Sequence, residues 1–157
     1  MTMQLITHLK KRAEIIGSIN NLKTAYSGIL AYSGDNDGRI PANRGVTDED
    51  LVDDPAQRID EVQPGLIDLP YVLSTYISEK TFLSPGNKRF QNEGYYLSGV
   101  ATSYLYKGMG QRLDGKGVDG RDVPLSTQVL LSEIRAYYDH KSCMLTADGR
   151  VLTGSEF

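Results

Sequence analysis

The chain has 157 residues, a formal net charge of −3 and an apolar fraction of 39%, which together describe one globular domain rather than a disordered chain. Acidic and basic residues are interspersed, and the one basic cluster, Lys10-Lys11-Arg12, fits a single helical turn, so we expect no nucleic-acid partner. The single cysteine, Cys143, excludes an intrachain disulfide. No run of about 18 apolar residues occurs, so the chain as given is not predicted to span a membrane.

Residues 1–33 are predicted to form one long helix. Apolar residues recur there at steps of three or four, which indicates a single apolar face, with Ser18 counted among the polar residues of the other faces. The apolar positions are Leu5, Leu9, Ala13, Ile16, Ile19, Leu22, Tyr26 and Ile29. A helix of this length measures roughly 45 Å, so we expect it to project from its domain or to pack along another molecule. Gly34, the Asp35-Asn36-Asp37-Gly38 run and Pro41 predict where it ends.

Residues 34–94 are predicted to be a connecting region with little regular structure. The stretch from Pro41 to Gly65 is acidic and aperiodic, which favours a surface loop with at most one helical turn from Asp48. A second, short helix is predicted after Pro70, because proline suits the first turn of a helix.

Residues 95–157 are predicted to form an antiparallel sheet. Four segments are rich in β-branched, aromatic or apolar residues and are predicted strands: Tyr95 to Tyr106, Val129 to Ile134, Ser142 to Thr146, and Val151 to Thr153. Asp148-Gly149 between the last two is typical of a hairpin turn. The predicted fold class is α+β: one domain, residues 1–157, in which a long N-terminal helix packs on a small antiparallel sheet.

Several motifs resemble those of type II secretion pseudopilins and related type IV pilin-like proteins. In that family a helix carrying an Asn-Asn-Leu-basic stretch ends in a Tyr-x-x-Asp-Asn-Asp-Gly-x-x-Pro turn. The matching residues here are Asn20-Asn21-Leu22-Lys23 and Tyr32-Ser33-Gly34-Asp35-Asn36-Asp37-Gly38-Arg39-Ile40-Pro41. Ser84 stands where a cysteine is common in the family's Phe-x-Cys-Pro stretch, and Ser103-Tyr104-Leu105-Tyr106 is similar to its Ser-Tyr-x-Tyr strand.

The resemblance extends to the C-terminal third. Glu133, His140 and Asp148-Gly149 match the family's glutamate, histidine and Asp-Gly positions in order. Two departures weaken the inference about His140: the spacing from His140 to Asp148 is shorter than in the family, and Arg150 replaces a histidine.

The resemblance implies a type IV pilin-like fold and a role in a filament rather than an enzymatic activity. It implies other copies or related pilin-like subunits as partners, and a location in the cell envelope. Family members carry an apolar segment of about 20 residues before this helix, which anchors them in the inner membrane. We therefore expect the natural precursor to encode such a segment upstream of Met1.

Two places could bind calcium. The Asp35 to Gly38 turn resembles the start of an EF-hand loop, but Arg44 stands where that loop needs its glutamate, so a helix cap is favoured. Residues 113–124 interleave glycines with Asp114, Asp119 and Asp122, which is a better candidate for a structural Ca²⁺ site, although a solvated acidic loop explains the same pattern.

Catalytic motifs give no support for an enzyme. His8 and His140 are the only histidines, and neither belongs to a recognisable metal, nucleotide or nucleophile motif. The predicted function is a structural subunit of a type II secretion pseudopilus or type IV pilus-like filament. The predicted assembly face, which would pack against other subunits, is the helix face of Leu5, Leu9, Ala13, Ile16, Ile19 and Leu22. The alternative is a cell-envelope binding or hydrolytic module that uses the acidic loop 113–124.

Overall fold

A computed structural model of the chain describes residues 2–41, 69–86, 95–97, 100–108, 110–116, 120–133 and 141–155. The helices are α1 (Thr2–Asp35) and α2 (Leu69–Val72), with 3-10 turns at Glu79–Phe82 and Leu125–Thr127. The strands are β1 (Tyr95–Leu97), β2 (Val100–Thr102), β3 (Tyr104–Tyr106), β4 (Val129–Glu133), β5 (Lys141–Thr146) and β6 (Val151–Ser155). The helical turn predicted from Asp48 lies outside the described residues.

The main sheet is antiparallel with the strand order β3-β4-β5-β6, and α1 packs against it. The predicted α+β class, a long N-terminal helix on a small antiparallel sheet, is therefore confirmed. The predicted strands Val129 to Ile134, Ser142 to Thr146 and Val151 to Thr153 correspond to β4, β5 and β6.

The prediction of one strand from Tyr95 to Tyr106 is wrong. β1 and β2 pair with each other antiparallel, with Leu97 opposite Val100, so the chain reverses between them and forms a separate two-stranded sheet. Only β3 joins the main sheet, through β4. The sequence carries the signal for this reversal, because Ser98-Gly99 is a dipeptide that marks turns and it lies between apolar segments.

The hairpin of β5 and β6 forms around the predicted Asp148-Gly149 turn. Gly149 has φ +82°, and a Cβ at this position would lie 2.6 Å from Cε1 of Tyr26. The Tyr26 hydroxyl donates a 2.9 Å hydrogen bond to the carbonyl of Ala147. The turn is therefore held directly against α1, and glycine is required there for both conformation and space.

The core lies between one face of α1 and the inner face of the sheet. Leu22, Ala25 and Ile29 are buried on the helix side, and Leu130 and Leu145 are completely buried on the sheet side. Burying a leucine or isoleucine side chain stabilises a fold by about 1.5–3 kcal/mol. These buried side chains therefore supply much of the free energy that holds α1 on the sheet.

The C-terminus of α1 is closed by the predicted Asp-Asn-Asp-Gly turn. The N–H of Gly38 donates a 2.8 Å hydrogen bond to the carbonyl of Ser33, and Asp37 has φ +54°. This bond and the left-handed residue before it are those of a Schellman cap. The side chain of Asn36 adds a 2.8 Å hydrogen bond to the carbonyl of Tyr32.

The segment 69–86 crosses α1 at two of its glycines. The predicted helix after Pro70 is the short α2, which contains Pro70 in its first turn. A Cβ on Gly17 would lie 2.8 Å from Cγ of Pro85, and one on Gly28 would lie 2.9 Å from Cδ1 of Ile77. These glycines weaken the isolated helix by about 1 kcal/mol each relative to alanine, but they let the segment approach α1 closely.

Substituting alanine for Gly17 and for Gly34 should therefore have opposite effects on stability. Gly17→Ala gains helix propensity but pushes the rigid Pro85 ring away, and we expect a net loss of about 1–2 kcal/mol. Gly34 has open space around its Cα, so Gly34→Ala should gain about 0.5–1 kcal/mol. Urea unfolding of both variants checks this, and a stabilised Gly17→Ala variant would disprove the close approach.

Candidate functional site: the outer helix face and a buried carboxylate

The predicted assembly face of α1 divides into two faces in the structure. Leu5, Leu9 and Ile16 are 60%, 54% and 56% exposed, and Ala13 is exposed as well. Leu22 is completely buried against the sheet, and Ile19 is half-buried between the two groups. The prediction of one continuous face is therefore corrected.

The spacing of the residues explains the division. Each residue advances about 100° around a helix, so a step of three falls about 60° short of a full turn. The predicted stripe takes three such steps in succession, from Ala13 to Ile16, Ile19 and Leu22. Together they rotate the stripe by about 180°, from the side of α1 that faces away from the sheet to the side that packs on it.

We call the exposed group the outer stripe: Leu5, Ile6, Leu9, Ala13 and Ile16. It lies on residues 3–16, the projecting segment, whose first eight residues are all exposed. Beyond Ile16 the same side of the helix becomes largely polar, with Asn20, Thr24 and Ser27 exposed. Most of the exposed apolar surface of α1 thus lies on residues 3–16, and Leu30 is the large apolar residue exposed in its second half. Among the described helices none is long and apolar enough to cross a membrane.

A buried polar cluster joins α1 to the sheet where the projecting segment ends. The Glu133 carboxylate of β4 accepts hydrogen bonds from the Ser18 hydroxyl at 2.5 Å and the Ser84 hydroxyl at 2.9 Å, both on Oε1. Its Oε2 accepts the backbone N–H of Cys143 in β5 at 2.7 Å. Tyr104 Oη lies 2.8 Å from Ser18 Oγ, and since Ser18 donates its proton to Glu133, Tyr104 donates to Ser18. Three parts of the fold, α1, the segment at Ser84 and β5, therefore converge on one carboxylate, and β3 joins them through Ser18.

Burial dominates the electrostatics of this cluster. Glu133 is only 6% exposed, and loss of hydration raises its pKa above the ordinary 4.5, although the hydrogen bonds from Ser18, Cys143 and Ser84 oppose the rise. The thiol of Cys143 is buried beside the same carboxylate, and burial together with that charge raises its pKa to about 12. A thiol with so high a pKa is almost entirely un-ionised at neutral pH and is not a nucleophile.

Sequence reasoning placed Ser18 on a polar face and missed its role. The signal was available, because Ser18 precedes Leu22, Ala25 and Ile29 at steps of four, three and four. Those steps place it on the sheet-facing side. Ser84 and Glu133 were both identified from the family resemblance, and the structure brings them into direct contact.

The remaining motif residues of the helix end have structural roles in the described part of the chain. Asp35 accepts a 2.8 Å hydrogen bond from the hydroxyl of Tyr76, and this bond is the main reason that the pKa of Tyr76 is raised. Pro41 accepts a 2.7 Å hydrogen bond from the Tyr106 hydroxyl, whose pKa is raised by burial. Asn36, Asp37 and Gly38 form the cap of α1.

The C-terminal motif residues form the hairpin turn. Asp148 accepts hydrogen bonds from the Thr146 hydroxyl at 2.5 Å and from Nε of Arg150 at 2.6 Å. These partners, the threonine first, hold the pKa of Asp148 below its usual value. Arg150 thus stabilises the turn. His140 lies outside the described residues.

The calcium candidates in loop 113–124 are only partly described. Oδ1 of Asp114 accepts the backbone N–H of Lys116 at 3.0 Å, and Asp122 forms an ion pair with Lys116 Nζ. Asp119 lies outside the described residues. Within the described ranges no group of three acidic, histidine or cysteine side chains could hold a metal ion. The Ca²⁺ site from Asp114, Asp119 and Asp122 therefore stays a prediction.

Glu133 should give the stability of the fold a pH dependence opposite to that of an ordinary paired carboxylate, because its pKa is raised in the folded chain. Below about pH 4.5 it is protonated in both folded and unfolded chains, and above that the unfolded chain ionises first. The free energy of unfolding therefore falls as the pH rises from about 4.5 to the raised pKa of Glu133 in the folded chain. In Glu133→Gln the amide oxygen can accept from Cys143 N–H while the amide nitrogen donates to the serine hydroxyls. We expect this variant to gain stability relative to the parent as the pH rises from 4.5 to 8, measured by urea unfolding. A relative loss over that range would contradict a burial-dominated site.

The ion pair of Lys116 with Asp122 favours the solvated-loop alternative, so calcium should leave the melting temperature unchanged. A cation bound at Asp122 would have to displace Lys116. Thermal melts with millimolar Ca²⁺ and with chelator check this. A rise of several degrees that disappears in Asp119→Asn would identify a site.

Comparison with known proteins gave no match: no protein-family model, no curated protein and no solved structure matches the chain. The similarity to pilin-like proteins therefore rests on the residues and motifs described above.

Proposed function

We propose that this protein is a structural subunit of a pilin-like filament, of the type II secretion pseudopilus or type IV pilus kind, which acts by assembling with other subunits. The observation that carries the proposal is the outer stripe. Five apolar residues lie exposed on one side of a helix that extends beyond its own domain, facing away from the core that would otherwise bury them. Contiguous apolar surface of this kind usually marks an interaction site.

The energetics favour assembly through several contacts rather than a tight dimer. Four large side chains of the projecting segment, Leu5, Ile6, Leu9 and Ile16, are between 54% and 64% exposed. Burying one such side chain fully contributes about 1.5–3 kcal/mol, so the stripe supplies a gross gain of about 6–12 kcal/mol at most. Association itself costs about 4–15 kcal/mol. One stripe alone therefore gives weak association, whereas a filament provides further contacts to each subunit.

The charges beside the stripe determine the geometry of the contact. Lys10 and Arg12 lie on its two sides and are exposed. Two copies paired in register along this segment would bring these like charges together, which is unfavourable. A heterologous contact avoids the repulsion, because the stripe of one copy then meets a different surface of the next. Such contacts do not close on themselves and build helical arrays.

The buried cluster gives the projecting segment a fixed direction. Glu133 binds Ser18 just after the outer stripe ends, and Tyr104 binds Ser18 as well. The helix is therefore held by the sheet on one side of this point, whereas on the other side contacts with the domain fade from Ile15 and residues 3–10 are all exposed. A filament subunit needs such a rigid connection, because the position of its body depends on the direction of its helix.

The proposed setting follows from the family resemblance. The partners are other copies or related pilin-like subunits, and the location is the cell envelope, with anchoring in the inner membrane through the upstream apolar segment that the resemblance implies. The alternative of a binding or hydrolytic module at loop 113–124 is not proposed, because no observation in the described part of that loop favours it.

Site-specific photo-crosslinking in cells tests the assembly proposal. We expect a photo-crosslinking amino acid in place of Leu9 to produce a ladder of copies, since that position would face a neighbouring subunit. The same amino acid in place of Ser27, exposed on the same side of the helix but within its polar half, should produce far less product.

Two further results decide the outcome. Leu9→Glu combined with Ile16→Glu should abolish the ladder from a crosslinker at Leu5 without lowering the melting temperature, because neither side chain contributes to the buried core. Equal crosslinking from positions 9 and 27, or adducts of a single unrelated protein without any ladder, would overturn the proposal.

A further inference from the structure

The outer stripe is bordered by positive charge on both sides near its middle. Lys10 and Arg12 lie about 90° and 70° from its centre, on opposite sides, and both are exposed. The segment contains one acidic residue, Glu14, which is half-buried and lies nearer to the sheet-facing side. The projecting segment is therefore an amphipathic helix whose polar borders are basic.

We propose that the projecting segment lies in the surface layer of an anionic lipid bilayer, with the outer stripe in the boundary between headgroups and acyl chains. A helix that lies on a membrane needs an apolar face, basic residues beside it and a length too short or too polar to span. Residues 3–16 meet these requirements, and lysine and arginine near an anionic leaflet are attracted to its surface potential.

The geometry of the fold permits this contact. The outer stripe lies about 170° around the helix from the sheet-facing residues Ser18, Leu22 and Ile29. A bilayer that covers the stripe therefore lies on the side of α1 opposite the sheet and does not collide with it. The polar residues Asn20, Thr24 and Ser27 follow on the same side and mark where the lipid contact ends.

Charge complementarity favours lipid over a second copy as the occupant of the free stripe. A second copy in register presents Lys10 and Arg12 to the same residues, whereas anionic headgroups present the opposite sign. The lipid contact also needs no partner surface of matching shape. This inference goes beyond filament assembly, since it concerns the subunit that has not yet joined other copies.

Co-sedimentation of the 157-residue chain with vesicles tests the proposal. We expect binding to vesicles of phosphatidylcholine mixed with phosphatidylglycerol, and at least tenfold weaker binding to phosphatidylcholine alone. Raising the salt concentration should weaken the anionic binding, because the attraction is screened. The chain contains no tryptophan, so Leu9→Trp adds a single reporter whose fluorescence should shift to the blue on binding.

Matched variants distinguish the effect of the outer stripe and its basic borders on lipid binding from the effect of net charge. Lys10→Gln with Arg12→Gln should weaken anionic binding by roughly 25-fold, since each basic residue near such a surface contributes about a factor of five. Lys80→Gln with Lys107→Gln makes the same change in net charge at exposed sites elsewhere and should leave binding within twofold. Leu5→Ser with Leu9→Ser should abolish binding while the melting temperature stays constant.

Three outcomes would overturn the proposal. The first is equal binding, or none, to the two kinds of vesicle. The second is an equal loss of binding in the Lys10/Arg12 and Lys80/Lys107 variants. The third is a lipid-free dimer in analytical ultracentrifugation that Leu9→Ser dissociates, which would assign the stripe to a second copy. Crosslinking in cells measures filament assembly independently of the vesicle experiment. A failure of lipid binding is therefore distinguishable from a failure of assembly.

Discussion

The arrangement of the described chain depends on one carboxylate buried under a helix. Glu133 lies on β4. Its hydrogen bonds reach Ser18 on α1, Ser84 just after the 3-10 turn Glu79–Phe82, and the backbone of β5. A buried carboxylate is costly unless its lone pairs are satisfied, so removing any one donor leaves a penalty of about 1–3 kcal/mol or more. Because these donors come from distant parts of the sequence, they are all in place only when α1, residues 84–85 and the sheet are correctly docked. The hydrogen-bond network thus mainly specifies where the helix docks on the sheet. The stabilisation of that docking comes mainly from buried apolar residues such as Leu22 and Ile29.

That fixed position gives α1 two halves with different physical roles. The second half is bound by the sheet through buried apolar residues and by the hydrogen bond from Tyr26 to Ala147 at the β5–β6 turn. The first half makes no comparable contact, since residues 3–10 are all exposed. The projecting segment is about 20 Å long, and within it Ile15 packs against the edge of the core. Tight helix–sheet packing and an unpacked extension therefore occur on one continuous helix, and the change takes place at Gly17-Ser18, where Pro85 and Glu133 meet it.

Local patterns in the sequence predicted the elements well and their relations less well. The Asp148-Gly149 hairpin, the cap at Asp37-Gly38 and the strands β4 to β6 follow from turn chemistry and residue type, which act over a few residues. The sequence also encodes the division of the apolar stripe into two faces, in the three successive steps of three residues from Ala13 to Leu22. The division becomes visible only when the angles of these steps are added. The reversal between β1 and β2 was missed because an apolar, aromatic segment looks like one strand when the Ser-Gly pair within it is overlooked. The buried cluster could not be predicted from spacing, since Ser18, Ser84 and Glu133 are brought together only by tertiary packing. The family resemblance selected Ser84 and Glu133 without indicating that they touch.

The outer stripe is a single surface for which two environments are proposed, and it cannot occupy both at once. A subunit whose stripe lies in the bilayer surface must leave it before the same residues contact a neighbouring subunit. The lipid attraction of Lys10 and Arg12 amounts to about 2 kcal/mol, and the apolar residues are buried in either environment. Moving from the bilayer surface to a neighbouring subunit therefore changes the burial of Leu5, Leu9 and Ile16 little. The same move loses the attraction of Lys10 and Arg12 to the anionic headgroups. A neighbouring surface with acidic groups opposite Lys10 and Arg12 would recover that cost, so the partner of the stripe in a filament should carry negative charge. The basic borders of the stripe, rather than its apolar residues, then decide the balance between the membrane surface and the assembled state.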